Sequence, residues 1–364
     1  MRKSAIITLI SFLFSGCSSD GDENKTKNSF KTTAAPHAGY QGNEVLSTQT
    51  PPLTGKEAVK YFQDKYDELA NKFASIGQKD RLAHDKSCPA SVVYFDSNKQ
   101  VTFDTVNQLA KSPAAFVYRE TKNNKKNFLM KVSSIHHIDQ LWKESAVLKL
   151  LSGYKGITST YVAATFSESV SQLCQLRTMV MERVGEQDIG EYRKNNGGGP
   201  LDNKFVSSVG IAAINLLETL HSTGLVHGDV HGGNFVLYKS DPAASLRIID
   251  FGRSGPYIDA KTGNHVPLTR LGENGWNPGL LSVGELEGWT VSRRDDLFRL
   301  AELMIANTDG YIDLESPQKI LHGKRNRKFS PLVPEGFVQF YKETMALDFD
   351  ATPDYNRFRS LIRL

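Results

Sequence analysis

The stretch from Leu225 to Leu237, LVHGDVHGGNFVL, sets two histidines, an aspartate and an asparagine between two apolar runs, with three glycines around them. Asp229 and Asn234 stand five residues apart in what reads as a loop after a helix, and Asp250 closes the apolar run of LRIIDFG beside a glycine. Phosphoryl transfer asks a protein for this set: one carboxylate to orient an attacking hydroxyl, and a second carboxylate with an amide oxygen to hold magnesium. It also needs a lysine on the phosphates and a glutamate to hold that lysine. Lys131 in FLMKV and Glu144 in WKESAVL supply them upstream, on a strand pattern and on the next helix pattern.

Elements must position these side chains. Val59, Phe62, Tyr66, Leu69 and Phe73 recur at intervals of three and four, which predicts a helix from about Thr54 to Ile76 that packs against the main domain. From about Ser91 the pattern shortens to strands in SVVYF, AAFVYRE, NFLMKVS, TYVAATF and RTMVMERV, with helical spacing between them in QLWKESAVLKLLS. This reads as a small sheet with one helix. FVSSVGIAAINLLETLHSTG then forms a long, mostly apolar helix stopped by Gly224, and the loop with Asp229 follows directly. No internal repeat is visible.

Composition sets the frame. The 364 residues are 39% apolar and 23% charged, which is globular, and a net charge of +4 is too small to indicate nucleic acid as a partner. The basic run HGKRNRKF at 322–329 reads as a solvated loop, with binding of an acidic or phosphorylated substrate as the alternative. Cys17, Cys88 and Cys174 offer no zinc spacing. Arg2 and Lys3 precede an apolar run from Ala5 to Phe14 that is too short to span a bilayer, and FSGC follows. Residues 1–16 therefore read as a signal peptide of an exported chain, either secreted or lipid-anchored at Cys17. Cys88 and Cys174 read as buried free thiols, with a disulfide between them as the alternative that an oxidising compartment would permit. Residues 17–53 are polar and read as a disordered tether, 54–90 as a helical extension, and 91–364 as the main domain.

Lys131, Glu144, Asp229, Asn234 and Asp250 in this order make up the protein-kinase motif set. VMERVG resembles the hinge of the casein kinase one family, SRRDDLFRLAELM its central helix, and FVQFYKETMALDFDATPDYNRFRSLIRL its final helices, while VHGD is similar to the vaccinia-related kinases of the same superfamily. The resemblance covers roughly residues 90 to 364. It implies an α+β, two-lobed protein kinase-like fold, with a small β-rich N-lobe (about 91–182) and a large helical C-lobe (about 183–364). It further implies a monomeric serine/threonine protein kinase that takes ATP, Mg2+ and a protein substrate. By role, Asp229 would be the catalytic base, Asn234 and Asp250 the metal ligands, and Lys131 with Glu144 the phosphate-positioning pair. Met181 would be the gatekeeper, Glu182 and Val184 would offer backbone groups to adenine, and Val236 would belong to the same nucleotide pocket. Asp296 would anchor the catalytic loop, with His227 as a second structural residue.

The departures from that pattern matter as much. The glycine-rich loop would fall on LAKSPAAFVY, where Ala110, Ser112 and Ala115 replace its three glycines, and a Cβ at each weakens a backbone cradle for phosphates. Leu129 stands where a small alanine usually lies above adenine, and Gly228 where many kinases carry an arginine that pairs with a phosphorylated activation loop. The resemblance thus implies that activation-loop phosphorylation is not the switch. His231 takes the place of a lysine that contacts the transferred phosphate. HGDVHGGN is also similar to the loop of aminoglycoside and choline phosphotransferases. A pseudokinase scaffold and a small-molecule phosphotransferase therefore stand beside the protein kinase as alternatives.

Overall fold

The computed structural model describes residues 53–74, 91–96, 99–111, 115–120, 128–133, 138–151, 178–183, 185–239, 241–272, 277–308 and 317–364. The export run, the tether up to residue 52, the strand TYVAATF, Ser112, Val184 and the three cysteines lie outside them, while Leu53, expected to end the tether, packs against the core. No helix among the described residues is long and apolar enough to cross a membrane.

A strand-rich lobe comes first. The strands β1 (Ser91–Asp96), β2 (Lys99–Lys111), β3 (Ala115–Glu120), β4 (Phe128–Ser133) and β5 (Thr178–Glu182) pair antiparallel in chain order. Four of them match expected runs; β2 was not expected. Its register against β3 slips between Phe103 and Gln108 and again between Gln108 and Ala110. Such bulges add residues that break the two-residue alternation by which a strand is read.

The helix α2 (Ile138–Leu151) carries Glu144 and is buried nearly all round, through Leu141, Trp142, Ala146, Val147, Leu150 and Leu151. A helix apolar on every side needs cover on every side. One cover is α1 (Gly55–Ala74), which lies on α2 and buries Ala58, Val59, Phe62 and Leu69. Val59 also reaches the larger lobe. It packs with Ile258 where a Cβ on Gly224 would stand, and Gly224 has the left-handed φ of +83°. The residue that stops the long helix is thus glycine for two reasons, its conformation and its neighbours.

The larger lobe is mostly helical. It holds β6 (Gln187–Asp188), α3 (Ile189–Asn195), α4 (Asn203–Ser222), β7 (Leu225–Val226), β8 (Phe235–Leu237), α5 (Pro242–Ser245), β9 (Leu246–Ile248) and β10 (Gly255–Pro256). After them come α6 (Val283–Leu286), α7 (Arg293–Asn307), α8 (Pro317–Arg325), α9 (Glu335–Ala346) and α10 (Tyr355–Leu361). Asp202 starts α4 by accepting hydrogen bonds from the backbone of Lys204 and Phe205. Inside this lobe α4, α7, α9 and α10 pack together around Ala213, Leu217, Leu297, Leu300, Phe337 and Phe340. The small sheets β6-β8-β9 and β7-β10 hold the two ends of the Asp229 loop.

The basic run corrects the expectation of a solvated loop. Lys324, on α8, is buried, donates to Glu302 of α7 and to the Gly279 carbonyl at 3.2 Å, and lies over the Phe298 ring. Arg327 lies 3.6 Å from the other oxygen of Glu302. The run sits opposite a buried acid, so part of it is a structural ion pair rather than a ligand surface.

Candidate active site

β7 pairs with β10 and β8 pairs with β9, so the loop between β7 and β8 is pinned at both ends. Asp296, near the start of α7, holds its middle. It accepts the backbone N–H of His227 at 2.7 Å and of Gly228 at 2.9 Å, and His221 Nε2 donates to it at 3.0 Å. Burial opposes its charge, but His221 and the loop donors outweigh burial and keep Asp296 below the usual carboxylate range. Gly228 has φ of +71°, and a Cβ there would meet the Arg253 carbonyl at 2.7 Å, so no side chain fits. His227 Nδ1 accepts the Asp229 N–H at 3.2 Å, which makes Nε2 the donor to the Ile249 carbonyl at 3.0 Å. Burial keeps this ring neutral by lowering its pKa.

Within this frame the Asp229 carboxylate meets two guanidinium groups and an imidazole. Oδ1 accepts from Arg253 at 3.0 Å and lies 3.5 Å from Arg299, while His231 Nε2 is 3.7 Å from Oδ2. Burial pushes its pKa up, but His231, Arg253 and Arg299 together hold it far below the usual range. His231 is oriented by the Gly233 N–H, which donates to its Nδ1 at 3.1 Å. Asn234 donates its side-chain N–H to the Asp229 carbonyl at 2.8 Å and is itself buried.

Lys131 lies across from this loop. Val117 and Met179 flank it on the neighbouring strands. Its ammonium donates to Glu144 at 2.5 Å and to Asp250 at 2.8 Å. Burial disfavours that charge, yet Asp250 and Glu144 outweigh burial and raise the Lys131 pKa. One lysine thus serves two carboxylates in unequal settings. Burial pushes the Glu144 carboxyl up to about 7 despite Lys131 and the Phe251 backbone, whereas Lys131 keeps Asp250 below its usual value against partial burial. Asp250 has φ of 62° and is the one non-glycine residue with positive φ among those described. Backbone strain of this kind is held only by a well-determined surrounding. Here the surrounding is the Lys131 pair and Phe251, whose ring lies 5.2 Å from that of His227.

Among the described residues no three His, Cys, Asp or Glu side chains form a metal cluster by themselves. Magnesium carried on phosphates needs only one or two protein oxygens. Asp250 and Asn234 fit that demand, because both offer hard oxygen donors and their backbones adjoin, the Ile249 N–H donating to the Asn234 carbonyl at 2.9 Å.

The structure brings together the side chains that the sequence singles out: Lys131, Glu144 and Asp250 in one cluster, Asp229, His231 and Asn234 in the loop, and Asp296 with His227 beneath it. Ala110 and Ala115 are strand residues at the hairpin of β2 and β3, opposite Val117 and Ser133. Met181 lies opposite Leu129, and Glu182 ends β5 opposite Phe128. Val236 on β8 packs against Gly185, just after β5, where an added Cβ would stand 2.8 Å from it. Arg253, Arg299 and Glu285 were missed. The signals available were the capping-box spacing of Ser282 and Glu285 and, in Arg299, a charge within the apolar run of α7.

Residues 168–266 match the ABC1 atypical kinase-like domain family. The chain is 26% identical over 278 residues to the casein kinase I homolog RAG8 of Kluyveromyces lactis, covering 72% of this chain and 47% of that one. It is 26% identical over 211 residues to the B1 kinase of vaccinia virus strain Ankara, covering 52% and 67%. Over 236 residues it is 31% identical to the casein kinase 1-like protein HD16 of Oryza sativa subsp. japonica, covering 60% and 31%. The chain thus spans less than half the length of these two casein-kinase-named relatives. Together the matches support a kinase-like domain with a two-lobed α+β fold, to which the casein kinase and vaccinia groups are distant relatives.

Proposed function

We propose that the chain is a serine/threonine protein kinase that uses ATP and Mg2+ and acts, as a monomer, on a protein hydroxyl. The observation that carries this reading is Lys131 held between Glu144 and Asp250, facing a loop that presents Asp229 and Asn234. Asp250 and Asn234 would hold magnesium, which when bound to the nucleotide neutralises charge on the transferred group. Lys131, kept charged by its two carboxylates, would take the nucleotide phosphates. Met181, the backbone of Glu182 and Val184, and Val236 would line the adenine side, and Ala110, Ser112 and Ala115 would take the place of the glycines that cover the phosphates. Asp229, strongly acidic in its cationic surroundings, is a weak base. Its part is to orient the acceptor hydroxyl and to receive the proton once the bond to phosphorus has largely formed.

A second reading, transfer to a small-molecule hydroxyl, draws on His231 in place of a lysine and on the match to an atypical kinase-like family. Export of the chain, with Cys17 as a lipid anchor to a membrane, belongs to this proposal through the FSGC residues alone. The test is phosphoryl transfer from labelled ATP with and without magnesium, to protein acceptors, to small alcohols and to the chain itself. Wild type is expected to phosphorylate protein, and Asp250→Ala to lose that activity by orders of magnitude while keeping its fold. Transfer to alcohols alone selects the second reading. Magnesium-ATP binding without transfer makes the chain a scaffold.

A further inference from the structure

The Asp229 carboxylate is tied to a carboxylate far away in sequence. Arg253 donates to Asp229 Oδ1 at 3.0 Å and to Glu285 Oε1 at 3.2 Å. Arg299 donates to the same Glu285 oxygen at 2.5 Å, lies 3.5 Å from Asp229 Oδ1, and donates to the Gly228 carbonyl at 3.0 Å. Two cations and two anions alternate, so the quartet is balanced. Arg299 and Glu285 are 1% and 3% exposed, and Arg253 16%.

Glu285 is placed independently of the arginines. Its Oε2 accepts the Ser282 N–H at 2.9 Å, closing the capping box that starts α6, and Ser282 Oγ is anchored on Asp295 at 2.7 Å. That leaves Oε1 to the guanidinium pair. Arg253 directly follows Phe251 and Gly252 in the turn that Asp250 caps. The ion pairs therefore join three separate pieces: the Asp250 turn, the Asp229 loop and the cap of α6. Gly228 has no room for a side chain that could do this locally.

We propose that Arg253, Arg299 and Glu285 are positioning residues that orient Asp229 and lock the Asp250 turn to the start of α6 without any phosphorylated residue. With Oδ1 committed to the guanidinium groups, Oδ2, which has only His231 Nε2 at 3.7 Å beside it, is the oxygen turned to an acceptor hydroxyl. Glu285 supplies internally the anion that two converging arginines require. The catalytic half of this inference rests on the kinase reading above; the locking half does not.

Two measurements on the full chain test it. Arg253→Leu is expected to lower kcat by about tenfold or more while the affinity for magnesium-ATP changes by less than about threefold, since a misplaced group costs turnover rather than binding. Arg253→Lys, which keeps charge but not the fork, is expected to recover part of the loss. In hydrogen exchange, Arg253→Leu and Glu285→Gln are each expected to speed exchange both at 227–234 and at 282–288. Unchanged kcat, an equal loss of nucleotide affinity, or no recovery with lysine overturns the positioning role. Unchanged exchange in Arg253→Leu overturns the lock. If Glu285→Gln does not fold, the Arg253 variants decide alone, and if wild type transfers no phosphoryl group, the functional reading has failed and exchange still judges the lock.

Discussion

Glu144 and Asp250 share Lys131 at 2.5 and 2.8 Å, but the Glu144 side chain is 3% exposed and that of Asp250 46%. The buried partner is the costly one, since its carboxyl is pushed up to about 7 and its ionised form is disfavoured. Glu144→Gln is therefore expected to lower turnover at least tenfold, because Lys131 loses its tie to α2, without lowering the melting temperature at about pH 8. Steady-state kinetics and thermal melts check both halves. A loss of several degrees would make Glu144 a structural prop instead.

Asp295 gives a pH dependence of known sign. Burial pushes its carboxyl up to about 6, against the pull of Ser282, Arg294 and the Ser292 N–H. Between its unfolded value and about 6 the folded chain binds a proton that the unfolded chain has released, so stability falls as pH rises through that range. Buried His227 acts in the opposite sense, because its lowered pKa costs stability as pH falls below the unfolded histidine value. Asp295→Asn removes only the first effect. The melting temperature of the variant minus that of wild type is expected to rise between about pH 4 and pH 6 and to level off above that. A flat difference would show that burial does not control this carboxyl.

The site was legible where chemistry and pattern coincide. Lys131, Glu144, Asp229, Asn234 and Asp250 each sit beside an apolar run whose period names its element, so type and placement could be read together. The ties between elements were not. Arg253 and Glu285 are 32 residues apart, Arg299 and Asp229 70, and ion pairs at such separations leave no periodic trace. β2 was hidden by its bulges, and the burial of Lys324 by the fact that a basic run looks the same facing water or facing Glu302. The helix α1 was visible, with ends within two residues of those observed, but nothing in its sequence said that it would cover α2.

That cover has a measurable consequence. Phe62, 5% exposed on α1, belongs to the cluster that includes Leu141, Val147 and Leu151 of α2. Phe62→Ala is expected to cost about 3 to 5 kcal/mol of stability, as buried phenylalanines do. Because α2 carries the Glu144 that holds Lys131, nucleotide affinity is expected to fall as well, at a temperature where the variant is still folded. Calorimetric melts and nucleotide titration separate the two effects. A lower melting temperature with unchanged affinity would reduce α1 to a passive lid on the core.

The basic run offers the last test, since a ligand surface and a buried ion pair respond in opposite ways to the same substitution. Lys324→Met leaves Glu302 buried with only Arg327 at 3.6 Å. It is expected to destabilise the chain by about 3 kcal/mol, the cost of stranding one member of a buried pair. The double variant Lys324→Met with Glu302→Leu removes both charges and is expected to recover much of that loss. Neither is expected to change affinity for an acidic peptide, because Lys324 has no access to one, while Lys328, exposed in the same run, would. A double-mutant cycle by denaturant unfolding measures the coupling. If the single variant is as stable as wild type and binds acidic peptide more weakly, the run is a binding surface and Lys324 is not a buried structural partner of Glu302.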